Sequence, residues 1–449
     1  MIKDLTEGNP QSLLWRFTIP MFISVIFQQL YNIADSVIAG KFAGEDALAA
    51  VGASYPITMI FMAIAVGSNI GCSVVISQYF GAKKYGQMKT AVYTTLVSAS
   101  ILSILLTVIG LLGSRELMQL IQTPENIMAD GDLYLKIYIG GFLFLFLYNV
   151  ATGIFTSLGD SKTPLYFLIG SSLGNIVLDY WLVAGLGWGV AGVAWATFLA
   201  QGVACVLALI TMMLRLRTVH TDQKPELFSV EMLQRISGVA VPSILQQSFI
   251  SIGNIFVQGL INSFGSSVIA GYSAAIKLNT FTITSFTTLG NGISSFTAQN
   301  IGAGKPDRVK EGMKGGVKMA AVLTIPFLIA YFGFGAAMMG LFMEENSEVA
   351  MRTGVEFLRI VSPFYIVVAM KLASDGMLRG SGSMREFMVA TFSDLILRVI
   401  LSFMFAEIWG TVGIWMSWPV GWCVGSALSL YYNRKVTKRM LGGMIGVRV

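Results

Sequence analysis

The chain has 449 residues, of which 55% are hydrophobic and 12% charged, with a formal net charge of +6. A water-soluble chain carries roughly 25% charged residues, so the charges here are too few to cover a soluble surface, and the long apolar blocks decide for a membrane protein. The positive balance does not point to nucleic acid, because the basic residues fall in short loops between apolar blocks.

The first residues, Met1 to Gln11, are polar and carry Asp4 and Glu7. The apolar stretch after them exceeds the roughly 7–15 residues of a signal-peptide core, so no removable leader is expected. Twelve apolar blocks of about 20 residues follow, centred near Ile26, Ala65, Ile101, Phe144, Ile176, Ala200, Ser251, Thr287, Pro326, Val367, Ile400 and Val420. The expected fold class is an all-α integral membrane protein of twelve transmembrane helices.

With the N-terminus inside, the cytoplasmic connections hold Lys83, Lys84 and Lys89, then Arg215, Arg217, Lys224 and Arg235, then Lys305, Arg308, Lys310, Lys314 and Lys318, and the tail holds Arg434, Lys435, Lys438, Arg439 and Arg448. The opposite loops are acidic, with Glu45, Asp46, Glu116, Glu125, Asp130, Asp132, Glu344, Glu345 and Glu348 against Lys41, Arg115 and Arg352. This Lys/Arg asymmetry places both termini in the cytoplasm, and the expected location is a bacterial inner membrane.

The sequence repeats. QYFGAKKYGQMK at 78–89 aligns with QNIGAGKPDRVK at 299–310, a shift of 221 that also carries Gly159 onto Gly380, Gly189 onto Gly410 and Gly192 onto Gly413. Near the start of each half the shift is 222, so Pro20 falls on Pro242 and Asn32 on Asn254. Two pseudo-symmetric six-helix bundles follow: residues 1–214, a cytoplasmic linker at 215–232, and residues 233–449. An even number of helices per half gives a parallel repeat, typical of transporters that rock one half against the other.

Ionisable groups at membrane depth need a partner or a function. In the first half, Asp35 lies in the first block, and Asn175 and Asp179 lie one turn apart in the fifth. With the Thr197 hydroxyl they offer hard oxygen ligands that suit Na⁺, while the carboxylates alone suit a proton. The bland alternative is that these acids cap helix ends or pair with cations elsewhere. The repeat acts as a control: Asp35 falls on Val257, and Asn175 and Asp179 on Ile396 and Ile400. In the second half, Asp394 and Arg398 are spaced to neutralise each other, Asp375 reads as an interfacial cap, and Lys277 and Lys371 either line a cavity or snorkel. Tyr31, Asn149, Gln246, Gln247, Asn254 and Lys277 are the candidate substrate-cavity residues, together with Gln28, Gln29 and Asn279.

Other chemistries lack their signatures. GAGK at 302–305 has Gln299 and Pro306 where a phosphate loop needs Gly and Ser/Thr. Cys72, Cys205 and Cys423 stand apart in apolar blocks, and the single histidine, His220, has no catalytic partners. No enzymatic activity and no bound cofactor are expected, and an ion gradient is the expected energy source.

The segment QQLYNIADSVIAGKFAGEDALAAVG at 28–52 resembles the first-helix signature of multidrug and toxic compound extrusion (MATE) transporters. The basic loops after QYFGA and QNIGA, the GVAG of the sixth block and LRGSG at 378–382 are similar as well, closest to the prokaryotic DNA-damage-inducible-type branch. The resemblance implies a V-shaped pair of bundles, working as a monomer, that exports drugs, dyes and organic cations in exchange for Na⁺ or H⁺. It implies a cation site at Asp35, Asn175, Asp179 and Thr197 and a bending first helix at Pro20. Where other branches carry a seventh-helix acid, this chain has Gln246 and Gln247. The rival readings are a lipid-linked-precursor flippase, which needs cations converging in a cleft, and, from another class, a channel or membrane receptor.

Overall fold

A computed structural model describes residues 3–38, 41–42, 45–221, 223–340 and 348–442, without the side chains of 35–37 and 45–48. The helices are α1 (Pro10–Ile38), α2 (Glu45–Gly81), α3 (Tyr85–Leu112), α4 (Ser114–Leu120), α5 (Glu125–Gly140), α6 (Phe142–Ser157), α7 (Lys162–Asp179) and α8 (Gly189–Thr218). After them come α9 (Val230–Asn262), α10 (Ser266–Gly302), α11 (Pro306–Leu328), α12 (Gly335–Gly340), α13 (Glu348–Val361), α14 (Tyr365–Gly380), α15 (Met384–Trp409) and α16 (Thr411–Leu441). No β-strand occurs among the described residues. Two π-helical segments, Tyr180–Gly185 and Ile329–Gly333, prolong α7 and α11.

Among the described residues nine helices are long and apolar enough to cross a membrane, and the α5–α6 pair, bent by 47°, makes a tenth span. The remaining long helices are α10 and α16, of 37 and 31 residues. Their Ser/Thr/Asn-rich and basic stretches lower their hydropathy, and they complete twelve rods. Each of the twelve block centres falls in a different rod.

Local chemistry sets the helix ends. Asn9 accepts a hydrogen bond from the Ser12 N–H at 3.0 Å and Pro10 opens α1, an N-cap followed by a residue with no N–H to lose. Inside the rods, many hydroxyls bond to their own backbone, as Thr95 does to the Ala91 carbonyl at 2.7 Å, which satisfies them without water.

The chain forms two compact units, Met1–Asp4 with Ile19–Ser248, and Leu5–Thr18 with Phe249–Val449. Inside the first, α2 packs on α5 and α6, α6 on α8, and α7 on α8. Inside the second, α10 packs on α13 and α14, α14 on α16, and α15 on α16, the same pattern one repeat later. Gly189 and Gly410, paired by the repeat, both sit at positive φ (54° and 59°), where other residues are strained.

Hydrogen bonds strap the start of each half. In the second unit the Leu5 N–H donates to Gln299 Oε1 at 2.9 Å, and Arg308 donates to the Gly8 and Leu5 carbonyls at 2.7 and 3.3 Å. In the first, the Glu226 and Ser229 N–H groups donate to Thr90 and Thr94 hydroxyls, each at 3.0 Å.

Candidate functional site

The first unit assembles the fifth- and sixth-block groups. Asn175 and Asp179 lie one turn apart on α7, 2% and 0% exposed. Asp179 is the last α-helical residue before the π-helical segment Tyr180–Gly185, and π-bulges recur at functional sites. Thr197, on the adjoining α8, sits 3.5 Å from Asn175 Nδ2, at the outer limit of a hydrogen bond. Asn175 Oδ1 is buried and accepts no hydrogen bond among the described residues. Asn175 and Thr197 thus meet across two packed helices, and Asp179 lies one turn on from Asn175. Asp35 belongs to α1, but its side chain lies outside the described residues. Among the described residues no three His, Cys, Asp or Glu side chains cluster.

Pro20 lies inside α1, and the Ser24 hydroxyl donates to its carbonyl at 3.0 Å. The boundary between the contact units falls at Thr18 and Ile19, directly before it. Of the candidate cavity residues, Asn149 spends its amide on the Leu145 carbonyl of its own helix at 2.9 Å. Gln246 is buried, Tyr31 and Gln247 are half-buried, and Asn254 and Lys277 are exposed on α9 and α10. Asn279, buried in the second unit, accepts from the Tyr365 hydroxyl at 3.1 Å.

The second half's charges are arranged differently from the expectation. Lys371 Nζ sits 2.8 Å from Asp375 and 3.5 Å from Asp394, all three buried. Asp394 is therefore paired with Lys371 on another helix and makes no ion pair with Arg398. Asp375 is a buried ion-pair partner instead of an interfacial cap, and it also accepts from Ser429 at 2.6 Å. Lys371 neither snorkels nor stands free.

The sequence reading also missed Asp160. It is 2% exposed, caps the start of α7 through Thr163 N and Oγ1 at 3.1 and 2.8 Å, and pairs with Arg215 from α8. The available signal was GDSKT at 159–163, an acid directly before a helix start.

Comparisons with known proteins place these features in a family. Residues 20–181 and 242–404 each match MatE. The probable multidrug resistance protein YpnP of Bacillus subtilis (strain 168) is 27% identical over 438 residues, covering 96% of each chain. The multidrug export protein MepA of Staphylococcus aureus (strain bovine RF122 / ET3-1) is 22% identical over 404 residues, covering 90% of this chain and 89% of its own. The fold superposes on the outward-facing conformation of a multidrug resistance MATE family transporter of the MOP superfamily, with a TM-score of 0.90 and 24% identity over 98% of both chains. A MOP superfamily transporter from Pyrococcus furiosus Vc1 (DSM3638) gives a TM-score of 0.91 at 23% identity, again over 98% of both.

Proposed function

The chain belongs to the MatE family, and from that premise we propose that it is a secondary active exporter of amphipathic, often cationic small molecules, driven by exchange for Na⁺ or H⁺. Relatives named as multidrug resistance and multidrug export proteins support the substrate class. Members of this family transport and are not enzymes, so the buried polar groups are read as binding groups.

The carrying observation is the buried Asn175 and Asp179 beside the half-buried Thr197, present in the first unit and replaced by isoleucines at the two α7 positions in the second half. A carboxylate at membrane depth costs several kcal/mol unless an ion or proton meets it. An oxygen-only shell binds Na⁺ without demanding rigid geometry, and the same carboxylate holds a proton when Na⁺ is absent. Asp35 is assigned to the same site by its place in the family signature.

Pro20 is the proposed hinge. Proline removes one backbone hydrogen bond and leaves a weak point in α1. Ion release at Asp35 and Asp179 would let α1 bend there and change access to the drug. Moving one charge through 100 mV supplies about 2.3 kcal/mol for such a bias. The proposed setting is a bacterial inner membrane with both termini cytoplasmic, a monomer in contact with lipid and small-molecule substrates.

The flippase reading needs Lys277, Lys371 and Arg398 to converge on a pyrophosphate. The ion pairs of Lys371 with two acids weigh against it. The deciding experiment is dye efflux from proteoliposomes of the full chain under separately imposed Na⁺ and pH gradients. Export driven by one of the two is expected. Translocation of a lipid-linked precursor without dye export would overturn the antiporter.

A further inference from the structure

Five charged side chains are buried in the second unit among the described residues: Lys371, Asp375, Arg379, Asp394 and Arg398. Three are cations and two are acids, so the interior carries one uncompensated positive charge. Lys371 is shared by both acids, at 2.8 and 3.5 Å. Asp375 is further satisfied by Ser429 at 2.6 Å. Arg379 donates to the neutral Asn291 Oδ1 at 2.9 Å. Arg398 has no acid in ion-pair range among the described residues. Its guanidinium lies over the Trp418 ring, 4.4 Å from the centroid, and its Nε and Nη2 find no acceptor.

The surroundings repeat that imbalance. The indole N–H groups of Trp418 and Trp415 are also buried without an acceptor, while Asp394 Oδ1 and the Ser362 and Ser374 hydroxyls are buried in the same unit without a partner among the described residues. Four donor nitrogens, two of them on Arg398, therefore lack an acceptor among the described residues. The walls are fixed: Tyr272 stacks on Trp415 at 5.3 Å, and Phe357 meets Trp415 and Trp418 edge-on at 5.2 and 5.8 Å. α16 is cut back beside the charges. A Cβ on Gly421 would come within 2.7 Å of Asp394 Oδ1 and 3.2 Å of Arg398 Cβ, and one on Gly425 within 2.7 Å of Lys371 Cε.

We propose that Arg398, stacked on Trp418, is the core of a binding site for one small monovalent anion, a halide or a carboxylate group, inside the second unit. A guanidinium carries only donors, so each buried N–H left without an acceptor is costly. An anion supplies acceptors and cancels the surplus charge together. A water molecule supplies an acceptor but leaves the charge. Arg suits such a site because its charge is permanent and its plane stacks on an aromatic face. The site is separate from the Asn175–Asp179 group, which belongs to the other unit, and does not depend on which cation drives export.

The test uses the purified full chain. Thermal unfolding is followed at constant ionic strength and pH in sodium methanesulfonate, with methanesulfonate replaced stepwise by chloride, bromide or acetate. The proposal expects a saturable rise in Tm with at least one of the three in the wild type and none in Arg398→Gln. A response to halides alone assigns a halide, and a response to acetate assigns a carboxylate; both support the site. Crystals grown in bromide give a readout that needs no variant, with an anomalous peak expected within hydrogen-bond distance of Arg398. Identical unfolding in all four salts overturns the proposal, as does density at Arg398 without anomalous signal, which would be water.

Discussion

The Lys371 ammonium lies 2.8 Å from the Asp375 carboxylate, and both side chains are almost wholly buried, 3% and 1% exposed. Asp394 completes the group at 3.5 Å. Removing one partner from a buried pair leaves a charge that neither water nor protein solvates, at a cost of about 3–5 kcal/mol. Lys371→Met is therefore expected to lower the unfolding midpoint sharply in detergent. Lys371→Met with Asp375→Leu, which removes one of the two stranded acids as well, is expected to recover part of the loss. A double variant no more stable than the single one would show that the pair is not what Lys371 supplies.

Close helix contact in the second unit depends on two facing glycines. A Cβ on Gly376 would stand 2.1 Å from the Gly290 carbonyl oxygen, backbone that cannot swing aside. Gly376→Ala must push α14 off α10, and overpacking of this kind costs about 1–3 kcal/mol or more. Gly170 on α7 has nothing within 4 Å of its would-be Cβ. Gly170→Ala is expected to be neutral or to stabilise by about 0.5–1 kcal/mol, since alanine loses less backbone freedom in a helix. Equal melting temperatures for the two variants would contradict the packing.

The strap at the start of the chain is held by Arg308 through the Gly8 and Leu5 carbonyls. Hydrogen bonds to a charged donor contribute about 1.5–3 kcal/mol each. Arg308→Ala is expected to speed amide exchange at Leu5 by roughly 10-fold or more, with little change at Thr95 in the first unit. Unchanged protection at Leu5 would mean that Gln299, Asn300 and Lys305 hold the segment without Arg308.

Much of this architecture was legible in the sequence because membranes leave few options. Backbone groups in hydrocarbon must bond within their own helix, so the apolar blocks centred at Ile26 through Val420 had to become rods, and they did. The repeat was legible through Gly189 and Gly410, whose positive φ no other residue adopts freely. The partners of buried charges were not. Asp394 and Arg398 have helical spacing, which makes them neighbours on one surface, yet Asp394 pairs with Lys371 from α14. Sequence spacing reports neighbours within a helix and is silent about which helix packs alongside. The same holds for Asp160 and Arg215, 55 residues apart in the chain (215 − 160). Asn175 and Asp179 share one helix, as their one-turn spacing expects, and α8 brings Thr197 to Asn175.

Pro20 stands next to the Thr18–Ile19 boundary between the units. If α1 bends there with the ion, spin labels on the second half of α1 and on α7, both in the first unit, should change separation between saturating Na⁺ and Na⁺-free buffer, or across a pH series. Pro20→Ala restores the missing hydrogen bond and is expected to narrow that change. Distances that stay constant in every condition would remove the hinge, whatever the importance of Asp35.

The central claim is that Asp179 carries the coupling ion, and it is tested most directly by transport in Asp179→Asn. The amide keeps the size of the side chain and removes its charge, so insertion is retained and ion exchange is lost. The measurement is export of a cationic aromatic dye from proteoliposomes, with Na⁺ and pH gradients imposed one at a time and reconstitution matched to wild type. The account predicts export at the level of protein-free liposomes under both gradients. Export at the wild-type rate under either one would contradict it.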